Sequence, residues 1–355
     1  MKNLLNQLEK VLLPDHNQQS FIWGAGNTAV LADQGMIREN LYKEFNIIGY
    51  LDKNCGRTLN NLPVKSPEIL NDFQKDNIFV LICTGNKSMY DEIDDKLNQM
   101  DIKHSLLDAA IIKKNFSKFI EAANHLDNYS KECYFRLLEK RLSLDPIDED
   151  LYAGESYFGI PEFCIPKSDD VFLDCGAYVG DSIERYMWRM DKFKTIIAIE
   201  PDQGNFNALN KRVSRLKNEW NLPDGKIITI NAGVDEYTKK SYMETHVGGL
   251  SSIQTSGTSD TSSLTFWAVD DLLENLNCVD KVTYIKADIE SFEYKMLKGA
   301  ANTLKKYKPR LAICIYHNAV DMYSIILLLN SINPNYRFSV RHHHFTLSET
   351  VLYAY

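Results

Sequence analysis

The feature that most constrains this chain is a pattern that occurs twice: an apolar run that reads as a strand, then a glycine turn, then a helix. It runs over 20–26 (SFIWGAG) with a helix predicted over 27–40, and again over 170–180 (DVFLDCGAYVG) with a helix over 181–190. Each copy is followed by a β-like run that ends in an acid, 46–52 (NIIGYLD) and 195–200 (TIIAIE). Strands alternating with helices make βαβ units and a parallel sheet. The expected fold class is therefore α/β, with two doubly wound units in series. A length of 355 residues agrees with two domains, at roughly 100–200 residues each.

The expected boundaries are a Rossmann-like domain over 1–110, a helical connector over 111–154 and a second α/β domain over 155–355. The helical reading rests on apolar residues recurring at three and four positions through 109–144, ended by Asp145 before Pro146. Further strands are predicted over 226–232, 282–287 and 310–316, and helices over 204–219, 292–306 and 319–332. The segments 336–341 and 349–355 read as a terminal hairpin, and the run 342–344 (HHH) as partly exposed strand. A polar stretch between 235 and 270, rich in Gly, Ser and Thr, reads as an inserted loop or hairpin.

Charge and composition exclude several classes. Forty basic against 48 acidic side chains give a formal charge of −8, which is the wrong sign for a nucleic-acid binder. No apolar run approaches the ~20 residues of a transmembrane helix. The opening residues alternate Leu with Lys, Glu and Gln and read as a helix rather than a signal peptide. Seven scattered cysteines with no Cys-x-x-Cys fit a reducing compartment, so a cytoplasmic location is expected.

The second unit carries the more specific site. Asp174 ends an apolar run and Gly176 and Gly180 follow it, in a Gly-x-x-x-Gly spacing that is not the dinucleotide fingerprint. Glycines at a strand-to-helix turn let a ligand approach the backbone. Glu200 ends the next strand, where a carboxylate accepts ribose hydroxyls. Together these describe a nucleoside-bearing ligand without a pyrophosphate, and S-adenosylmethionine is such a ligand. Farther on, Lys286, Asp288 and Glu290 alternate along a strand end, where open α/β sheets bind ligands. His317 follows the strand predicted over 310–316 in the same way.

The order FLDCGAYVGDS (172–182), IAIEPD (197–202), IKADIESFE (285–293), LKGA (297–300) and Tyr316-His317 resembles the FkbM family of methyltransferases. GGLSS (248–252) and VDDL (269–272) match that family's middle part, and the likeness covers about residues 155–355. It implies a class I fold with a seven-stranded sheet and an antiparallel final strand. It also implies S-adenosylmethionine as cofactor and O-methylation of sugars, glycolipids or polyketide-like hydroxyls. The implied cofactor contacts are Asp174, Gly176, Ala177, Tyr178, Gly180, Asp181, Ser182, Glu200, Pro201, Asn231, Ala232 and Asp288. One departure stands out: the family's Asp-x-Glu-Gly-x-Glu has Ser291 in place of its glycine.

An aliphatic hydroxyl holds its proton tightly, so the acceptor needs a base. Asp288, Glu290 or His317 could supply it, with His317 first if it is neutral. Alternatively Asp288 and Glu290 hold a divalent cation, a reading ranked second, and no metal ligands are assigned. The small-molecule or glycan acceptor is not readable from the residues.

In the first unit, Gly24, Gly26 and Ala29 form a Gly-x-Gly-x-x-Ala turn, and Asp52 ends the next strand. This is similar to small Rossmann domains that precede sugar acetyltransferases. A nucleotide or nucleotide sugar at Gly24 and Gly26 is one reading, and a degenerate domain that only positions substrate or subunit is the other. A nicotinamide- or nucleotide-sugar-dependent enzyme and a non-catalytic S-adenosylmethionine-binding scaffold stay open as rivals. The helical stretch 116–144 could serve a homodimer.

Overall fold

Runs rich in Ile, Val, Leu and Phe become strands covered on both faces, and two such sheets organise the chain. The computed structural model describes residues 1–245, 251–254, 263–277 and 281–355. Contacts divide it into two units. The first is Met1–Tyr152 with Ile315–Ser324 and His342–Thr350; the second is Ala153–Cys314 with Ile325–Arg341 and Val351–Tyr355.

The first unit has a six-stranded sheet of β1 (Gln19–Trp23), β2 (Ile47–Leu51), β3 (Arg57–Leu59), β4 (Leu62–Lys65), β5 (Ile78–Ile82) and β6 (His104–Leu106). Its order is β3-β4-β2-β1-β5-β6. β1 pairs in parallel with β2 on one side and β5 on the other, so the winding reverses between β1 and β5. Every residue of β5 is buried, as expected of a central parallel strand. Gly24 turns the chain after β1 at φ +118°, where a Cβ would lie 2.2 Å from the Cys83 carbonyl oxygen. The helices Leu107–Lys114, Phe116–Asn124 and Asn128–Ser143, expected as a connector, group with this unit instead. The same three-and-four spacing that makes them helical gives each an apolar face, and Ala110, Ile112, Phe119, Leu137 and Leu138 bury it.

The second unit has β7 (Val171–Cys175), β8 (Thr195–Ile199) and β9 (Ile227–Ile230), then a small sheet of β10 (Gly233–Val234), β11 (Lys239–Thr245), β12 (Ser251–Gln254) and β13 (Leu264–Trp267). β14 (Tyr284–Ala287), β15 (Arg310–Cys314), β16 (Phe338–His342) and β17 (Thr350–Ala354) complete it. The main sheet is seven-stranded in the order β16-β17-β15-β14-β7-β8-β9. β17 runs antiparallel to β15. The terminal hairpin is present: Arg337 and Tyr355 exchange backbone hydrogen bonds of 2.8 and 3.1 Å. The polar stretch contains an antiparallel hairpin of β11 and β12. Residues 248–250 of its GGLSS motif lie outside the described residues. The single helix predicted over 292–306 is two, Glu293–Gly299 and Ala301–Tyr307.

The three consecutive histidines divide by burial: His342 and His343 are buried and His344 is exposed. Burial pushes the His342 imidazole down to about 4, against about 6.5 in an unfolded chain. A depressed folded value means that this contribution is present above about 6.5 and is lost as the pH falls toward 4. Urea midpoints should therefore drop between pH 7 and pH 4.5, and His342→Gln should flatten that drop. An identical pH slope in the variant would contradict the assignment.

Candidate functional site at the carboxyl ends of β7, β8 and β14

In the second unit the chain winds from β7 to β8 on one side and later adds β14 on the other. Ligands of open α/β sheets bind outside the carboxyl ends at such a reversal. The β7–β14 register places Lys286 directly opposite Asp174. Both are buried, with Lys286 Nζ 3.1 Å from Asp174 Oδ1. The same ammonium donates to the Gly176 carbonyl oxygen at 2.7 Å, and the Ser182 hydroxyl donates to Asp174 Oδ2. Burial works against the Lys286 charge, but Asp174 and Asp288 outweigh it and raise its pKa above the ordinary lysine value. Lys286 therefore keeps its charge despite its burial.

That pair holds the glycine turn. Gly176 sits at φ +79°, and a Cβ there would lie 2.1 Å from the Asp288 carbonyl oxygen. No other residue fits. Gly180, at φ +83°, opens the helix Asp181–Arg189. Between them Ala177 is buried and Tyr178 is exposed at φ +49°. The Tyr178 amide donates to Glu200 Oε2 at 2.8 Å, and the Asp202 amide donates to Oε1 at 2.9 Å. Burial raises the Glu200 pKa, and these amide bonds pull partly back. The Asn231 side chain donates to the carbonyls of Glu200 and Pro201 at 2.9 and 3.1 Å, next to buried Ala232. Asp181 is half-buried and pairs with Arg185 at 3.2 Å.

Asp288 follows β14 directly, and its carboxylate accepts the Tyr157 hydroxyl at 3.0 Å. The strand alternation that put Glu290 on the same side stops there. Glu290 and Ser291 both have positive φ, +56° and +75°, and Glu290 is exposed. The position where the family carries glycine is thus in the left-handed region. The buried Glu293 closes this loop by accepting the Ile289 amide at 2.7 Å. His317 groups with the first unit, buried, its ring 4.1 Å from that of Tyr316.

Tyr157 is the functional side chain that sequence reasoning missed. It is buried at φ +70°, its carbonyl accepts the Tyr284 hydroxyl at 2.9 Å, and Lys286 Nζ lies 5.2 Å from its ring centroid. A tyrosine in an irregular segment carries no spacing signal, so only the tertiary contacts reveal it.

Comparison with known proteins agrees with this geometry. Residues 174–340 match the methyltransferase FkbM domain. The resemblance read from the motifs is thereby shown, and residues 174–340 carry a methyltransferase domain. The crystal structure of the methyltransferase FkbM from Methylobacillus flagellatus KT is similar over 100% of this chain and 98% of that one, with a TM-score of 0.59 and 20% identity. Aeropyrum pernix fibrillarin, solved with natively bound S-adenosyl-L-methionine, is similar over 56% of this chain and 70% of its own, with a TM-score of 0.35 and 12% identity. Among curated proteins no relative matches the chain.

Gly176→Ala should destabilise the fold by more than about 2 kcal/mol, because it combines a positive φ with a backbone clash. Gly85→Ala, where a Cβ meets nothing within 4 Å, is the control and should stay within about 0.5 kcal/mol of the parent. Equal urea midpoints for the two variants would refute the tight-turn argument.

Proposed function

We propose that the FkbM methyltransferase domain moves a methyl group from S-adenosylmethionine to a hydroxyl of a sugar, glycan or glycolipid. The observation that carries this reading is the turn at Gly176, which has no room for a Cβ. It lies beside a buried acid, Glu200, that ends the neighbouring strand. The residues fit the cofactor. Glu200 would hold the ribose hydroxyls, and Pro201, Asn231 and Ala232 would flank the base. Gly176 to Ser182 would lie along the remainder, with Asp174 and Asp288 toward the amino-acid end. When bound, S-adenosylmethionine supplies a sulfonium methyl that needs alignment rather than activation.

The chain's own task is then the acceptor proton. Asp288 takes it from the acceptor hydroxyl, and Tyr157 positions that carboxylate. Asp288 is preferred over Glu290 because it is half-buried and held by a phenol, whereas Glu290 is exposed. No helix among the described residues is long and apolar enough to cross a membrane. With the cysteine pattern, this supports placing the reaction in the cytoplasm.

Calorimetric titration with S-adenosylhomocysteine should give one site, weakened roughly 10- to 100-fold by Glu200→Ala, the scale of a lost charged hydrogen bond. Absence of binding to the parent protein would refute the cofactor assignment.

Asp288→Asn should lower kcat by about 10²–10⁴-fold. Tyr157→Phe should lower kcat less, with KM for the cofactor unchanged, and should have no further effect in the Asp288→Asn background. Additive losses would make Tyr157 a structural residue only. Activity should survive chelation by EDTA; loss that magnesium restores would favour the cation reading instead.

A further inference from the structure

The main sheet of the second unit carries opposite charge at its two ends. Acids gather where β7, β8 and β14 end, at Asp174, Glu200 and Asp288. Cations gather where the strands begin. β7, β8, β9, β14 and β15 run parallel. β16 starts at the same level, because Arg337 exchanges backbone hydrogen bonds with Tyr355 and the neighbouring Ala354 pairs with Leu311 of β15. A basic residue leads into each strand in turn: Lys167 into β7, Lys192 into β8, Lys226 into β9, Lys281 into β14, Lys308 into β15 and Arg337 into β16. All are exposed except the half-buried Lys226. No described residue forms an ion pair with any of them, whereas Arg189 and Arg215 on the flanking helices pair with Glu155, Glu184 and Glu219. Among the described residues, the exposed acids of the same segments are Asp169, Asp191 and Asp224, so positive charge is in surplus there.

A second feature shares that end. The helix Asp181–Arg189 returns from the carboxyl end of β7 to the start of β8, and Gln203–Glu219 returns from the end of β8 to the start of β9. Their far ends bring Trp188 and Trp220 together edge to face, with ring centroids 5.5 Å apart. Trp188 is 71% exposed, and Ile165, just before Lys167, is 55% exposed. Indole rings favour the boundary between water and hydrocarbon, and lysines beside them are drawn to anionic headgroups.

We propose that the end of this sheet where the parallel strands begin docks on an anionic lipid surface. The lysines meet the headgroups, and Trp188, Trp220 and Ile165 sit at the interface. Charge complementarity selects that partner. All the strand-leading cations but Arg337 are lysines, point charges that suit lipid phosphates, whereas nucleic-acid recognition favours the arginine fork. The residues assigned to the cofactor lie at the opposite ends of the strands, so the proposal is independent of the methyl-transfer reading.

Co-sedimentation of the full chain with vesicles tests it, using phosphatidylcholine alone and phosphatidylcholine with about 30 mol% phosphatidylglycerol as the anionic surface. The chain should bind the anionic vesicles at least about tenfold more tightly. That margin should vanish in about 1 M salt, where charges are screened within about 3 Å. Lys305 and Lys306 are exposed beside Lys308. The triple variant Lys305→Glu/Lys306→Glu/Lys308→Glu should weaken binding about tenfold or more, and Trp188→Ser about threefold. Urea midpoints report whether the variants remain folded. No binding, equal binding to both vesicle types, undiminished binding by either folded variant, or oligouridine RNA bound more tightly than the anionic vesicles would each overturn the proposal.

Discussion

The buried pair of Asp174 and Lys286 is the interaction on which the rest of the second unit depends. It sits across a register match between β7 and β14, at the level where both strands end. Removing one partner of a buried pair strands the other charge and costs about 3–5 kcal/mol. Here the cost would not stop at the sheet. The Lys286 ammonium also holds the Gly176 carbonyl and lies over the Tyr157 ring. One side chain thereby ties a strand pairing, a ligand-facing turn and a buried phenol together. A second buried pair, Asp170 with Arg310 at 2.6 Å, fastens the opposite ends of β7 and β15. The sheet is therefore pinned by charge at both ends.

Four residues near the carboxyl end carry backbone strain. Tyr157, Tyr178, Glu290 and Ser291 all have positive φ although none is glycine. Such conformations cost of order 1–3 kcal/mol each and persist only where surroundings over-determine them. The surroundings are visible: Tyr284 and Asp288 bracket Tyr157, Glu200 accepts the Tyr178 amide, and Glu293 clamps the start of the 288–291 loop. Serine at 291 keeps the left-handed turn that glycine would make with less strain.

The two units use one plan with different outcomes. Both place a glycine at positive φ after the first strand and an acid after the second. In the second unit the acid is buried beside the turn and the neighbouring strand adds Lys286 and Asp288. In the first, Asp52 accepts the amides of Ala25 and Asn54 at 3.0 and 2.9 Å. Equal topology thus leaves the location of ligand chemistry to the residues at the strand ends.

Much of this was legible in the sequence because it is local. Apolar runs, glycine turns and strand-terminal acids are read within a dozen residues, and they determined the α/β class, the strand positions, and the placing of Asp174, Gly176 and Glu200 at strand ends. The motif order carried the likeness to FkbM methyltransferases. What depends on pairing across the sheet was not legible. Alternation put Lys286 on one side of its strand, but alternation along one strand cannot say which residue of the next strand stands opposite; the register chose Asp174. The three middle helices carried an apolar face in their sequence but not the core that covers it. Tyr157, 131 residues from Asp288, lies in a segment without periodicity. Its role was set only when tertiary packing brought a strained tyrosine against a carboxylate, since a contact between distant residues is a property of the fold rather than of any window of the chain.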